Sequence, residues 1–424
     1  MNTPPPPLAP RRAALDWVGL VLSGNAIIGA DPFARKLDMP SDRATAKRLA
    51  DAILRHRANL DGLMQPFLQR RPPNSIRNIF YLVLVETQLF NSPDFALVHT
   101  CVELAKRDPG TKGKFAGLTN AVARKLIALP KGALIARKAP KLPKPLRGPM
   151  IAAYGQAVVD AMETAHLHEP LVDLCVKSES LIEHIETGQR FAPHHLRLSK
   201  GTALSEVEVF RSGDAWVQDL AAQQPVWSLG AIEGLSVLDL CAAPGGKTMQ
   251  LAAAGAKVTA LDLSEARMAR VSENLHRTGL EAELVTADAL VWDPDQTFDL
   301  IVLDAPCSAT GTIRRHPDLP YLKSSTSIKD LVALQRSLTR KAVSLLKPGG
   351  RLLFVTCSLL PAEGEAQADW IEASFPQIRP AALKSNSITA PAITAHRCRL
   401  RPDMQAPYGG MDGFFFALYQ MEIQ

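Results

Sequence analysis

The stretch Val237-Leu-Asp-Leu-Cys-Ala-Ala-Pro-Gly-Gly-Lys-Thr248 constrains this chain more than any other. An apolar strand runs into a tight turn at Pro244-Gly245-Gly246, and Lys247 and Thr248 then open a helix. Glycines let the backbone approach a ligand closely, and a helix N-terminus presents free amides to a negative group. Strand, turn and helix in that order begin a wound α/β sheet, whose ligands lie at the carboxyl ends of the strands. The same texture continues to the C-terminus. Apolar runs ending at Asp262, Thr286, Asp304, Thr356 and Tyr419 alternate with helical segments, so residues 229–424 are expected to form a mainly parallel, Rossmann-like α/β domain.

Three cofactors compete for such a turn. A nucleotide-triphosphate loop needs G-x-x-x-x-G-K-[ST]; Gly246-Lys247-Thr248 supplies its end, but Cys241 stands where its first glycine belongs. The dinucleotide pattern G-x-G-x-x-G is absent. S-adenosylmethionine is the third reading, with Cys241, Ala242, Ala243, Pro244, Gly245, Gly246 and Lys247 as the turn beside it. Asp262 suits the ribose hydroxyls, because it ends the second strand 23 positions after Asp239, close to the roughly 20-residue step that two-strand geometry demands. Asp288 ends the third strand and is the candidate for the adenine. Each aspartate alone also reads as a helix cap.

Two cysteines follow strand ends. Cys307 lies in Asp304-Ala-Pro-Cys-Ser-Ala-Thr-Gly311 and Cys357 in Val355-Thr-Cys-Ser358. A single cysteine in such a place is most simply a small buried hydrophobe. A pair flanking the cofactor cleft, with Asp304 in front, suits a harder task. Carbon 5 of a neutral pyrimidine is not nucleophilic, and a thiolate adding to carbon 6 with an acid near ring nitrogen 3 makes it so. Cys101, Cys175 and Cys398 read as structural. The six cysteines form no CxxC pair, which argues against a zinc site or a disulfide framework and fits a reducing cytoplasm.

The front of the chain is different. Residues 1–150 hold 24 Lys and Arg against 10 Asp and Glu, and residues 151–424 hold 24 against 32, so a net charge of +6 divides into +14 and −8. That asymmetry points to a nucleic acid or another anionic surface as partner. Residues 1–12, with four consecutive prolines, read as a disordered tail, and residues 13–130 as an all-α domain by their three- and four-residue apolar spacing. Residues 131–149 carry six basic side chains, no acidic ones and four prolines, the composition of a linker. Residues 150–228 mix a helix, Ile151 to Ala165, with strand-like runs at Leu171–Val176 and Glu206–Phe210, and read as a small connecting subdomain. No apolar run approaches the roughly 20 residues of a membrane span.

Taken together, Asp239-Leu-Cys-Ala-Ala-Pro-Gly-Gly-Lys-Thr248, Asp304-Ala-Pro-Cys-Ser-Ala-Thr-Gly311 with Arg314-Arg-His-Pro-Asp318, Thr356-Cys-Ser358 and Asp412-Gly-Phe-Phe-Phe416 resemble the signature set of RNA 5-methylcytosine methyltransferases. Glu86, His99-Thr-Cys-Val-Glu-Leu-Ala-Lys106 and Phe115-Ala-Gly-Leu-Thr-Asn-Ala-Val122 resemble the helical NusB fold. This pairing resembles the RsmB (Fmu/Sun) family, so the implied architecture is α+β multidomain. An all-α NusB-like RNA-binding domain is followed by an α/β Rossmann-like S-adenosylmethionine-dependent methyltransferase domain.

The resemblance implies methylation of carbon 5 of a cytosine in 16S rRNA, free or partly assembled, with Cys357 as nucleophile. Cys307 would then serve product release, and Asp304 ring nitrogen 3 and the cofactor. Lys247 is left between a cofactor carboxylate and an RNA phosphate, and Arg267, one turn past Asp262, is expected to support the ribose site. Arg314, Arg315 and His316 are candidates for phosphates beside the target base. A cytoplasmic monomer with no metal and no membrane contact is expected. Two rivals stay open: the same chemistry on tRNA, and a non-catalytic RNA-binding ribosome-assembly or antitermination factor.

Overall fold

The computed structural model describes residues 8–26, 33, 36–183, 185, 188–384 and 392–423. The chain forms two compact units, residues 1–147 with 316–323, and residues 148–315 with 324–424.

The first unit is a bundle of α1 (Leu8–Leu22), α2 (Pro40–Met64), α3 (Asn74–Gln88), α4 (Asp94–Lys106) and α5 (Ala116–Ile127). The run Ile79-Phe-Tyr-Leu-Val-Leu-Val85 is apolar all round, and a helix of that kind belongs at the centre. Indeed α3 is buried along nearly its whole length and packs against the other four helices. Inside this core Arg11 donates from Nε and Nη2 to the two carboxylate oxygens of Glu86, each at 2.6 Å. The bidentate geometry satisfies both charges away from water.

The second unit starts with α6 (Lys144–Tyr154) and α7 (Gln156–Ala165), then builds an antiparallel sheet in the order β2-β1-β3 from β1 (Asp173–Val176), β2 (His195–Arg197) and β3 (Ala215–Val217). The helices α8 (Glu208–Arg211) and α9 (Leu220–Trp227) lead into the large sheet. Its strands are β4 (Ser236–Leu240), β5 (Lys257–Asp262), β6 (Glu283–Thr286), β7 (Phe298–Asp304), β8 (Leu346–Thr356), β9 (Ile378–Pro380), β10 (Ala392–Thr394), β11 (Arg397–Leu400) and β12 (Phe414–Met421). Along the chain between them come α10 (Gly246–Ala253), α11 (Glu265–Thr278), α12 (Leu319–Leu322), which belongs to the first unit, α13 (Ser325–Ser344) and α14 (Glu365–Ser374).

The order is β10-β11-β12-β8-β7-β4-β5-β6, with β9 beside β12. Strands β8, β7, β4, β5 and β6 are parallel. After β4 the chain winds outward through β5 and β6, then returns to place β7 on the other side of β4. That reversal opens a crevice at the carboxyl ends of β4 and β7, where open α/β sheets bind ligands.

Several expectations need correction. Residues 1–7 lie outside the described residues, but Leu8–Arg12 are not a disordered tail: they begin α1, because the Arg11–Glu86 pair anchors them. The linker stops early, since Lys144–Pro149 already belongs to α6. The helix expected over 151–165 is broken at Gly155, whose φ of 82° no continuing helix permits. Glu206–Phe210 is no strand; it enters α8. The sheet is mixed rather than mainly parallel, because β9 to β12 add antiparallel strands at one edge. No helix among the described residues is long and apolar enough to cross a membrane.

Candidate active site

The turn after β4 is built by its backbone. Cys241 takes a φ of 63° and Gly245 one of 97°, and a Cβ on Gly245 would stand 3.1 Å from Val271. Gly245 donates its N–H to Ala242 O at 2.8 Å, closing the turn, and α10 starts at Gly246. Ala242 and Ala243 are buried, and the Ala243–Pro244 peptide is cis. Burial, aided by Asp304 and Asp262, pushes the Cys241 thiol up to about 12, so it stays protonated.

At the end of β5, Asp262 is buried and its Oδ2 accepts the Ala243 N–H at 3.2 Å. Arg267 closes this corner from α11: Nη1 lies 3.3 Å from Asp262 Oδ2, and Nη2 donates to the Ala243 carbonyl. Asp262, Arg267 and the turn are therefore brought together. Asp288 follows β6, exposed, with Oδ1 accepting the Leu290 N–H at 2.9 Å, a turn-capping bond.

Lys247 sits across the crevice. It is 7% exposed, its Nζ donates to Asp304 Oδ2 at 2.7 Å, and the Phe414 ring lies 5.3 Å from the ammonium. Burial alone pulls its pKa down, but the carboxylates of Asp304 and Asp239 outweigh that and hold it above the ordinary lysine value. The charge therefore faces Asp304. Beneath, Asp239 is fully buried; Thr248 Oγ1 donates to its Oδ2 at 2.7 Å, and Oδ1 has no hydrogen-bond partner. Burial pushes this carboxyl up to about 7.

Cys307 and Cys357, at the ends of neighbouring parallel strands, approach to 3.4 Å between sulfurs, and both are half-buried. Backbone bonds tie the surrounding loops together: Gly311 N donates to Cys357 O at 2.9 Å, and Gly413 N to Gly311 O at 2.8 Å. A neutral-thiol state is favoured at Cys307, whose pKa is raised well above the usual value by the bond with Cys357, then by burial and by nearby Glu363.

The basic loop behaves otherwise than expected. Arg314 is 1% exposed and donates to Gly409 O at 2.5 Å, with Asp219 and Asp412 both 3.5 Å from its Nη2. Arg315 reaches Asp219 Oδ2 at 2.5 Å and Asp412 Oδ2 at 2.9 Å. The expectation of a phosphate contact is corrected for Arg314, which is buried beside Asp219 and Asp412; Arg315 pairs with the same carboxylates but keeps a quarter of its side chain exposed. His316 is exposed and groups with the helical unit. Sequence reasoning missed Asp219, Glu363 and the pairing role of Asp412, because a lone acidic residue in a loop carries no sign of the cation it will meet.

The crevice can now be set beside known proteins. Residues 227–420 match the family described as 16S rRNA methyltransferase RsmB/F, and residues 11–128 match the NusB family. The ribosomal RNA small subunit methyltransferase B of Erwinia tasmaniensis is 34% identical over 374 residues, covering 82% of this chain and 86% of that protein. Its counterpart from Yersinia enterocolitica is 32% identical over 416 residues, covering 93% and 94%. Among solved structures, PH0851 superposes with a TM-score of 0.73 at 21% identity, covering 99% of each chain, a likeness of fold.

Proposed function

Because the chain belongs to the RsmB/F family of 16S rRNA methyltransferases, with a NusB-family front domain, it is a methyltransferase that uses S-adenosylmethionine on rRNA, and we propose that it methylates carbon 5 of a cytosine through a covalent cysteine adduct. The observation that carries this reading is the 3.4 Å approach of Cys307 and Cys357 beside the Lys247–Asp304 pair.

The crevice fits the cofactor. Its turn keeps Cys241 and Gly245 in left-handed conformations, Asp262 and Asp304 flank it, and Asp239 Oδ1 is a buried acceptor without a protein partner. The turn from Cys241 to Lys247 with Asp262, Arg267, Asp288 and Asp304 would hold S-adenosylmethionine. Bound there, it supplies a methyl group on an electrophilic sulfonium.

The residues divide the remaining work. Cys357, as thiolate, adds to carbon 6 of the cytosine, and the electron pair displaced toward ring nitrogen 3 is stabilised there by Asp304 as acid or hydrogen-bond partner. Lys247 keeps Asp304 oriented. Carbon 5 is then nucleophilic and takes the methyl group; a water molecule takes the carbon 5 proton, the electrons of that C–H bond re-form the carbon 5–carbon 6 double bond and expel the Cys357 thiolate, with Cys307 serving that release. Looped or single-stranded rRNA keeps the cost of extruding the base small.

Incubation of the full chain with labelled S-adenosylmethionine and 16S rRNA, 30S subunits or tRNA, followed by mapping of the methylated atom, tests the reading. Label at carbon 5 of a 16S cytosine is expected. Label on tRNA alone would reassign the substrate, and label at another atom would overturn the chemistry.

A further inference from the structure

One buried carboxylate beneath the two thiols has no part in that mechanism. Glu363 ends the short helical turn Pro361–Glu363 and is fully buried. Its Oε1 accepts the Ser308 N–H at 2.9 Å and Gln335 Nε2 at 3.1 Å, while Oε2 accepts the Ser358 hydroxyl at 2.7 Å. Ser308 directly follows Cys307, and Ser358 directly follows Cys357. On the other flank, Thr356 donates its hydroxyl to the Glu363 carbonyl at 3.0 Å. A single residue thus grips both cysteine segments, which leave different strands 50 positions apart.

The surroundings close this grip. The Ser308 and Ser358 hydroxyls lie 3.1 Å apart, and Gln335 Nε2 also donates to Pro306 O at 2.9 Å, on the near side of Cys307. Every partner of the carboxylate is a donor, the shell of an acceptor-only group. A carboxylate in that shell sets a negative charge near Cys307, and in a low-dielectric interior such a charge disfavours a second one.

We propose that Glu363 is the positioning residue of the cysteine pair: through Ser308 and Ser358 it fixes the two thiols against each other, and its buried charge disfavours a thiolate at Cys307. The assignment rests on the cysteine-adduct reading above.

Two substitutions separate clamp from charge. Glu363→Gln can keep the grip, its carbonyl accepting from Ser308 and Gln335 and its amide donating to the Ser358 oxygen, whose proton turns toward Ser308. Glu363→Ala removes both. Iodoacetamide labelling of Cys307 at pH 8, read by peptide mass spectrometry, is done in full-length Cys357→Ser chains. Adding Glu363→Gln is expected to speed that labelling about tenfold over the chain that keeps Glu363, one unit of thiol pKa. In chains with both cysteines, Glu363→Ala is expected to lower kcat for rRNA methylation by about 100-fold or more, and Glu363→Gln by about tenfold, each with KM for S-adenosylmethionine unchanged.

Equal labelling rates would overturn the charge role, and a wild-type kcat in Glu363→Ala would overturn the clamp. Should the alanine chain fail to fold, shown by loss of thermal stabilisation by S-adenosylhomocysteine, Ser358→Ala, which removes the bond from the Cys357 segment to Glu363 Oε2, decides the clamp by the same kcat measurement, and the glutamine chain decides the charge. Labelling needs no RNA, so a wild-type enzyme that methylates some atom other than carbon 5 would sink the cytosine chemistry while leaving the charge role of Glu363 separately judged.

Discussion

Cys307 Sγ and Cys357 Sγ lie 3.4 Å apart although 50 residues separate them, because β7 and β8 are adjacent parallel strands whose register pairs Asp304 with Val355. Each thiol leaves its strand two or three residues after that pair, so both arrive at the same level of the crevice. On the proposed chemistry the two substitutions differ in kind. Cys357→Ser is expected to lower turnover by at least about 1000-fold without forming an adduct, whereas Cys307→Ala accumulates an RNA-bound protein visible on a denaturing gel. Adduct with Cys357→Ser and none with Cys307→Ala would exchange the roles.

Gly311 is a steric test of that crevice. A Cβ there would collide with the Gly413 carbonyl and stand 2.8 Å from the Cys357 carbonyl. Backbone cannot yield as a flexible side chain can. Gly311→Ala is expected to reduce kcat by about 100-fold, since small misplacements of reacting groups carry penalties of that order. Thermal stabilisation by S-adenosylhomocysteine should persist, because the cofactor turn lies elsewhere; loss of that stabilisation would show that the damage is global.

Arg314 gives the opposite kind of prediction. Its substitution by Ala leaves the buried carboxylates of Asp219 and Asp412 to share Arg315 alone and leaves the Gly409 carbonyl without its donor, in a setting where breaking a buried ion pair costs about 3–5 kcal/mol. A lowered unfolding midpoint in urea is therefore expected, with the salt dependence of rRNA binding unchanged. A shallower salt slope would mean that Arg314 touches phosphate after all.

Asp239 makes stability depend on pH. Its folded pKa, about 7, lies above the ordinary aspartate value of 3.8, so near neutral pH the folded chain holds a proton that the unfolded chain has lost. This group therefore contributes nothing at low pH and destabilises increasingly as pH rises from about 4 to about 7. Asp239→Asn removes the penalty, so the melting temperature of the variant relative to wild type should be higher at pH 7.5 than at pH 5. A pH-independent difference would show that Asp239 is already ionised in the fold.

On the proposed function, exposed basic side chains of the connecting segment are expected to meet the RNA backbone. Lys138, Lys141 and Lys144 are exposed. Replacing all three by Ala is expected to weaken rRNA binding and reduce the slope of log K against log salt by about 1 for each phosphate no longer neutralised. Filter binding at several salt concentrations measures it, and kcat at saturating rRNA should stay the same.

Much of the site was legible because it is written locally. The turn from Cys241 to Lys247 announces itself by strand, glycines and helix, and the 23-residue step to Asp262 is a property of two adjacent parallel strands. Arg267 lies one helical turn further on and reaches the same corner. The failures share a cause. Arg314 and Arg315 look like a phosphate-binding pair in isolation, and only the fold brings them to Asp219 and Asp412, about 95 residues away on each side. Leu8–Arg12 look like a tail until Glu86 meets Arg11.

By itself, then, the sequence determined what depends on neighbours along the chain: the wound α/β character, the cofactor turn, the apolar α3 at the centre of a basic helical unit, and two thiols at strand ends. The tertiary structure alone decided which charges face the solvent and which are cancelled inside. It decided that Lys247 serves Asp304, that Glu363 holds both cysteine segments, and that four antiparallel strands complete the sheet. The reason is physical. A residue's chemical type is a local property, whereas its charge partner and its dielectric surroundings are set by which distant segments pack against it.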